Sequence, residues 1–278
     1  MSKESAQDMS DSPKVSLVVP TYNQADYLGP CLDSIMFQDY PNLEIVVVYE
    51  AEATDHTREV IEDFLASVPT QRVSYASNYN EATGEVERTE HHRYPQKGRE
   101  IVVLRNERNR GATFAYNLGF QAATGEYCTY IASDDLCHPQ MVSTLAAPLA
   151  ADAADFVYSD MFVFDDRGRI LREFKLPDYS FRACFGNWYL CGVSKLYRRA
   201  LHERFGWYDD GFVANDHEFY LRLALGGARF LHVPKTLYSV RIHENREIGV
   251  HSPASWVRLL DESKSLVRRA RAAMAKPA

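Results

Sequence analysis

The chain has 278 residues, 46% of them hydrophobic and 12% aromatic, with a formal net charge of -7. That length supports a full core in one large domain or two small ones, and the acidic balance, with no Lys/Arg block beside aromatics, excludes a nucleic-acid-binding strip. No apolar run approaches the roughly 20 residues of a membrane span, and the polar start MSKESAQDMSDSPK lacks an apolar signal core. The five cysteines, Cys31, Cys128, Cys137, Cys184 and Cys191, form no CxxC pair; reduced thiols in a cytoplasmic protein are expected.

After a flexible leader (1–13), β-rich runs alternate with helical patterns. VSLVV (15–19) is followed by a helix over 26–36, LEIVVV (43–48) by a helix over 55–66, and IVVL (101–104) by a helix over 112–123, before EYCTYIA (126–132). This grammar predicts a mostly parallel sheet with crossover helices. Residues 67–100 interrupt it with a polar stretch that reads as an inserted loop or hairpin turning at Ala82-Thr83-Gly84. The His91-His92 pair there is assigned to solvated surface rather than metal, because adjacent strand residues point to opposite faces.

A helix over 138–149 comes next, then two β-rich runs around an Asp-Asp-Arg-Gly turn, which read as an antiparallel hairpin. GVSKLYRRALHERFG (192–206) and DHEFYLRLALGG (216–227) read as helices, and ARFLHVPKTLYSVRIH (228–243) as two short strands split by Pro234. In the tail (246–278), Trp256, Leu259, Leu260, Leu266 and Val267 can share one face of an amphipathic helix that also carries Arg258, Lys264, Arg268, Arg269 and Arg271. That format fits three roles: docking on the inner membrane face, a homodimer contact, or packing on the helix's own domain.

Ligands of open parallel sheets sit beyond the carboxyl ends of the strands. Thr21-Tyr22-Asn23, Glu50 with Glu52, Asn109-Arg110-Gly111 and Ser133-Asp134-Asp135 all follow strands and share one rim. Such a rim suits a nucleoside diphosphate, with a carboxylate holding Mg²⁺ or Mn²⁺ against the phosphates. No GxGxxG, GxxxxGK[ST] or GxSxG string is present. Helix capping is the competing role for Asp134 and for Asp216, and i, i+4 pairing for Glu218 with Arg222.

The strings VSLVVPTYNQADYLGPCLDSIMFQDYPNLEIVVV, NRGATFAYNLGFQAATGEYCTYIASDD and FVANDHEFYLRLALGG, in that order over about 14–245, resemble the inverting GT-A glycosyltransferases of family 2. The resemblance implies a single GT-A-like domain with a nucleotide-binding half (14–135) and an acceptor half (136–245). It places Pro20, Thr21, Tyr22, Asn23, Glu50, Asn109, Gly111, Asn117, Ser133 and Asp134 at the nucleotide. Asp134, Asp135 and His243 fall at the metal, and Asp216 at the catalytic base. Trp188, Tyr189, Asn215 and His217 line the acceptor or donor-sugar pocket, with a core role for the two aromatics as the alternative. The implied reaction moves a sugar from a nucleotide-diphosphate donor, UDP-sugars favoured, to a glycan or lipid-linked acceptor in polysaccharide biosynthesis. Two departures stand out: YEAEATD replaces the family's DDGSTD, and Ala132 replaces the first Asp of DSDD. They leave room for a non-catalytic nucleotide- or glycan-binding relative that acts as a partner subunit.

Overall fold

The computed structural model describes residues 12–70, 72–243 and 253–276. Most of the expected leader and residues 244–252, ahead of the tail helix, lie outside the described residues. The first half contains β1 (Val15–Thr21), α1 (Ala25–Met36), β2 (Leu43–Glu50), α2 (Thr57–Thr70), β3 (Arg72–Asn80), β4 (Glu85–His92), β5 (Arg99–Asn106), α3 (Ala112–Ala122) and β6 (Tyr127–Tyr130). The second half contains β7 (Leu136–Cys137), α4 (Met141–Ala150), β8 (Phe156–Asp165), β9 (Ile170–Phe174), a π-helical turn (Arg182–Gly186), β10 (Lys195–Arg198), α5 (Ala200–Phe205), α6 (Asn215–Leu225), β11 (Phe230–Ile242) and α7 (Pro253–Met274).

Among the described residues, nine strands form one sheet in the order β5-β2-β1-β6-β10-β8-β11-β7, with β9 on β8. The first four strands are parallel, and the remainder is mixed. The parallel part follows from near-continuous apolar runs: β1 and β2 are buried on both faces. Val15, Leu17 and Val19 face one core with α1, while Val18, Val46 and Val48 face the other with α3, the period-2 alternation of a strand. Gly119 lets α3 approach closely, since a Cβ there would lie 2.2 Å from Val18 Cγ1.

Residues 131–135 leave β6 and enter β7, which pairs with β11 at the opposite end of the sheet order, so this segment bridges the two halves across the strand ends. The inserted hairpin is present as a separate two-stranded sheet, β3 with β4. His92 there is exposed.

Two sequence expectations are corrected. Residues 195–198 of the expected helix form β10, a central strand with Lys195, Leu196 and Tyr197 all buried between β6 and β8. A four-residue strand covered on both faces shows no alternation, and helix begins only at Ala200. Pro234 does not split the last β-run: β11 is continuous, and register shifts between Val233 and Tyr238 absorb the missing donor.

The tail helix packs on its own domain. Leu266, Val267 and Ala270 are buried, Arg271 Nε donates to the Gly186 carbonyl at 2.7 Å, and Glu262 accepts from the Ala214 N–H at 2.9 Å. Trp256, Val257 and Leu260 toward the start of the helix stay exposed. No helix of the described residues is long and apolar enough to cross a membrane.

Candidate active site at the strand ends

A cavity of about 650 Å³ opens over the carboxyl ends of β1, β2 and β6. It collects most of the expected site: Pro20, Thr21, Tyr22, Glu50, Asn109, Gly111, Ser133 and Asp134 on one side, and Trp188, Tyr189, Asn215, Asp216 and His217 on the other.

On the strand side, Glu50 ends β2 and is buried, its Oε2 accepting from Asn106 Nδ2 at 2.8 Å. Glu52 instead orders the neighbouring loop, where its Oε2 accepts the Asn109 N–H at 3.0 Å while Asn109 Oδ1 accepts the Gly111 N–H at 2.8 Å. This loop needs glycine at 111, where φ is +88°. Asp55 joins the loop after β2 to α1 by accepting from the Ala25 N–H and from both Thr57 donors. Burial alone would raise its carboxyl pKa, but these hydrogen bonds hold it below the ordinary range.

Asp134 caps no helix, because β7 intervenes and α4 starts at Met141. Its Oδ2 meets His243 Nε2 at 2.9 Å. The His243 ring lies 4.3 Å from that of Tyr27, and its Nδ1 is buried without a hydrogen-bond partner. Small divalent cations commonly take one or two protein ligands and complete their shell with phosphates and water. Asp134 fits as one such carboxylate ligand, with His243 held behind it, although no group of three or more candidate ligands exists among the described residues. Ala132 is on the cavity wall where the family's first Asp is expected, and its methyl offers no ligand.

Four expected site residues are not brought to the wall. Asp135 is turned inward, accepting from Tyr238 Oη at 3.0 Å and the Arg241 N–H at 2.9 Å, so it anchors β11. The Asn117 amide clamps Tyr208, donating to its carbonyl at 2.8 Å and accepting its N–H at 3.2 Å. Asn23, at φ +51°, accepts the Thr54 N–H at 2.8 Å and braces the neighbouring loop. His243 reaches the cavity only through Asp134.

On the opposite side, Asp216 lies in the first turn of α6 but does not cap it; the residue before the helix is Ala214. Asp216 Oδ2 accepts from Tyr130 Oη at 2.7 Å, while Oδ1 is buried without a partner. Asn215 Nδ2 donates to Thr113 Oγ1 at 2.6 Å and ties α6 to α3. His217 stacks on Tyr189 with ring centroids 4.9 Å apart, and neither ring nitrogen has a hydrogen-bond partner. Burial lowers its pKa to about 4, so the imidazole is neutral. Glu218 and Arg222 form the i, i+4 pair at 2.7 Å.

Sequence reasoning missed Tyr130, whose place at the carboxyl end of β6 was the available signal, and the wall contributed by Trp256, Leu259 and Leu260 of α7. The profile of Glycosyl transferase family 2 matches residues 16–86 and 81–206.

The chain belongs to glycosyltransferase family 2.

It is 26% identical over 247 residues to glycosyltransferase GlyA of Streptococcus pneumoniae, covering 83% of this chain and 31% of GlyA. GlyG of the same organism is 28% identical over 152 residues, 55% of this chain and 40% of GlyG. The chain thus spans well under half the length of these two relatives. A glycosyltransferase of PGL/p-HBAD biosynthesis from Mycobacterium bovis is 25% identical over 234 residues, 82% of this chain and 77% of that one. Among solved structures, S. aureus TarS 1-349 with UDP-GlcNAc superposes with a TM-score of 0.64 at 20% identity, covering 92% of this chain and 66% of that chain. The mannosyltransferase PcManGT of Pyrobaculum calidifontis, with GDP-Man and Mn²⁺, gives 0.61 at 18% identity, covering 97% and 67%. The fold of this family 2 chain is accordingly GT-A-like, a single α/β domain with a curled sheet.

Proposed function

We infer that the chain is an inverting, metal-assisted transferase that moves a sugar from a nucleoside diphosphate donor, a UDP-sugar in first place, to a hydroxyl of a glycan or lipid-linked acceptor. The observation that carries this reading is Asp216: it lines the same cavity as Asp134, and its Oδ1 is buried without a hydrogen-bond partner. A carboxylate whose other oxygen is already held by Tyr130 has one defined atom with which to accept a proton.

In the reaction, the acceptor hydroxyl gives its proton to Asp216 Oδ1 as its oxygen bonds to the anomeric carbon. The bond from that carbon to the phosphate oxygen breaks, and its electron pair leaves with the diphosphate. Attack opposite the leaving group inverts the configuration without a covalent enzyme intermediate. Glu50, Thr21 and the Asn109–Gly111 loop hold the nucleoside end. Asp134, oriented by His243, would hold Mg²⁺ or Mn²⁺, which when bound supplies positive charge to the departing phosphates. The neutral His217 and the aromatics Trp188 and Tyr189 line the sugar and acceptor end.

The donors in the TarS and PcManGT structures, UDP-GlcNAc and GDP-Man, support a nucleotide-sugar donor here. Ala132 on the wall favours one rival, a nucleotide-binding partner subunit without turnover. A thermal-shift screen with UDP, GDP, dTDP and CMP, each with Mn²⁺ and with chelator, identifies the base. Saturation at a hundredfold over Kd adds about 2.7 kcal/mol of stability. Donor sugars of that base are then assayed for transfer, with the anomeric configuration of the product read by NMR. An inverted product is expected; retention of configuration, or nucleotide binding with no transfer to any hydroxyl acceptor, goes against the reading.

A further inference from the structure

Lys195 opens β10 between β6 and β8. It is 1% exposed, and its Nζ has no hydrogen-bond partner. The ammonium lies 3.5 Å from the ring centroid of Tyr130. Tyr116 stacks on the same ring at 4.5 Å and an interplanar angle of 7°, which leaves the other face for the cation. Tyr130 in turn donates its hydroxyl proton to Asp216 Oδ2 at 2.7 Å.

As space filling, a lysine here is a poor choice. Taking an ammonium out of water costs several kcal/mol, and a Met of similar volume carries no such cost. What this ammonium has in its surroundings is a π face and two carboxylates, Asp216 and Asp135, that favour its charge. Burial outweighs them and brings the Lys195 pKa down to about 8, so it still carries a proton at neutral pH.

The tyrosines and the histidine around this assembly do not change charge near neutrality. Tyr130 on β6, Tyr220 on α6, Tyr189 and Tyr208 are all kept protonated, chiefly by burial with a contribution from the Asp216 charge. Tyr158, the register partner of Lys195 on β8, is kept protonated chiefly by burial. His217 is neutral. Lys195 is thus the cation set behind the Tyr130–Asp216 pair.

We propose that Lys195 is a positioning residue for the base: packed on the face of Tyr130, its charge acts on the Asp216 carboxylate, whose Oδ1 stays free for the acceptor hydroxyl. The inference rests on Asp216 acting as the base. Lys195 touches no substrate in this arrangement; it acts through Tyr130 and through its field in a medium of low dielectric.

The test is a carboxyl ¹³C NMR titration of the full chain labelled at aspartate, with the Asp216 signal assigned by its loss in Asp216→Asn. Removing an opposite charge from beside a carboxylate raises its midpoint by about 1–3 pH units. Lys195→Met is expected to raise the Asp216 midpoint by that amount, to melt no lower than wild type, and to bind UDP with Mn²⁺ unchanged. Lys195→Arg is expected to return the midpoint toward wild type, and Tyr130→Phe to raise it by a smaller step. An unmoved Asp216 midpoint in folded Lys195→Met overturns the proposal. Unfolding of Lys195→Met and Lys195→Gln alike overturns it too, since that assigns Lys195 to packing. Full turnover in Asp216→Asn would remove the base reading while leaving the midpoint shift intact, so the two failures are told apart.

Discussion

The two sides of the cavity, proposed above as a donor side and an acceptor side, are built by different means. The donor side hangs on the ends of parallel strands: Thr21, Glu50 and the Ser133-Asp134 pair lie just beyond apolar runs buried on both faces, and backbone ladders fix their heights. The acceptor side is assembled from α6, α7 and the aromatic segment near Trp188, held by contacts distant in sequence, such as Asn215 to Thr113, Asn117 to Tyr208 and Glu262 to Ala214. Asp134 on the first side and Asp216 on the second are supported oppositely. Asp134 is paired with an imidazole, whereas Asp216 is held by a phenol and keeps one oxygen free. A carboxylate and a ring nitrogen together suit a cation; a carboxylate with an open oxygen suits a proton.

The contrast breaks most visibly if the ion proposed for the donor side is withheld. Chelation, or Asp134→Asn, is expected to abolish both turnover and the Mn²⁺-dependent part of the UDP thermal shift, while the apo melting temperature stays close to wild type. A metal-independent shift of equal size would assign Asp134 a role without an ion. His243→Ala is expected to weaken Mn²⁺-dependent UDP binding by about 10–100-fold, read by calorimetry, because it removes a ligand or the group that orients one.

His217 on the acceptor side and His202 in α5 share a signature in acid. Burial brings His217 and His202 down to about 4 from an ordinary 6.5. Their folded-state pKa values therefore lie below those of the unfolded chain, which takes up protons first as pH falls. The stability they contribute is complete above about pH 6.5 and drains away toward pH 4, at up to about 1.4 kcal/mol per pH unit for each histidine. Denaturant midpoints measured across that window should fall, and His217→Phe should flatten the slope. The smallest effect separates scaffold from site: Asn117→Ala is expected to cost about 1–2 kcal/mol of stability by freeing the Tyr208 backbone groups, with UDP affinity unchanged. Weakened UDP binding at full stability would place Asn117 at the nucleotide after all.

The same division decides what was legible in the sequence. The donor rim could be read because strand period and strand ends locate it without knowledge of packing; Pro20, Thr21, Glu50, Asn109 and Asp134 all reach the cavity. Side-chain direction was less accessible. Asp135 and Asn117 sit beside motif residues yet turn toward Tyr238 and Tyr208, a choice made by tertiary partners. Lys195 was hidden because a four-residue strand covered on both faces carries no alternation and runs straight into a helix. Tail helix α7 showed its amphipathic pattern openly, but the pattern names no partner. The structure spends Leu266, Val267 and Ala270 on the domain and gives Leu259 and Leu260 to the cavity wall.

The most direct measurement compares wild type with Asp216→Asn in one preparation, reading transfer from the donor found by nucleotide screening alongside UDP and Mn²⁺ binding by calorimetry. The account predicts a loss of turnover of about a hundredfold or more, with nucleotide affinity and melting temperature unchanged. Turnover that survives the substitution, or a loss that comes with unfolding or with lost nucleotide binding, would contradict the assignment of Asp216 as the base.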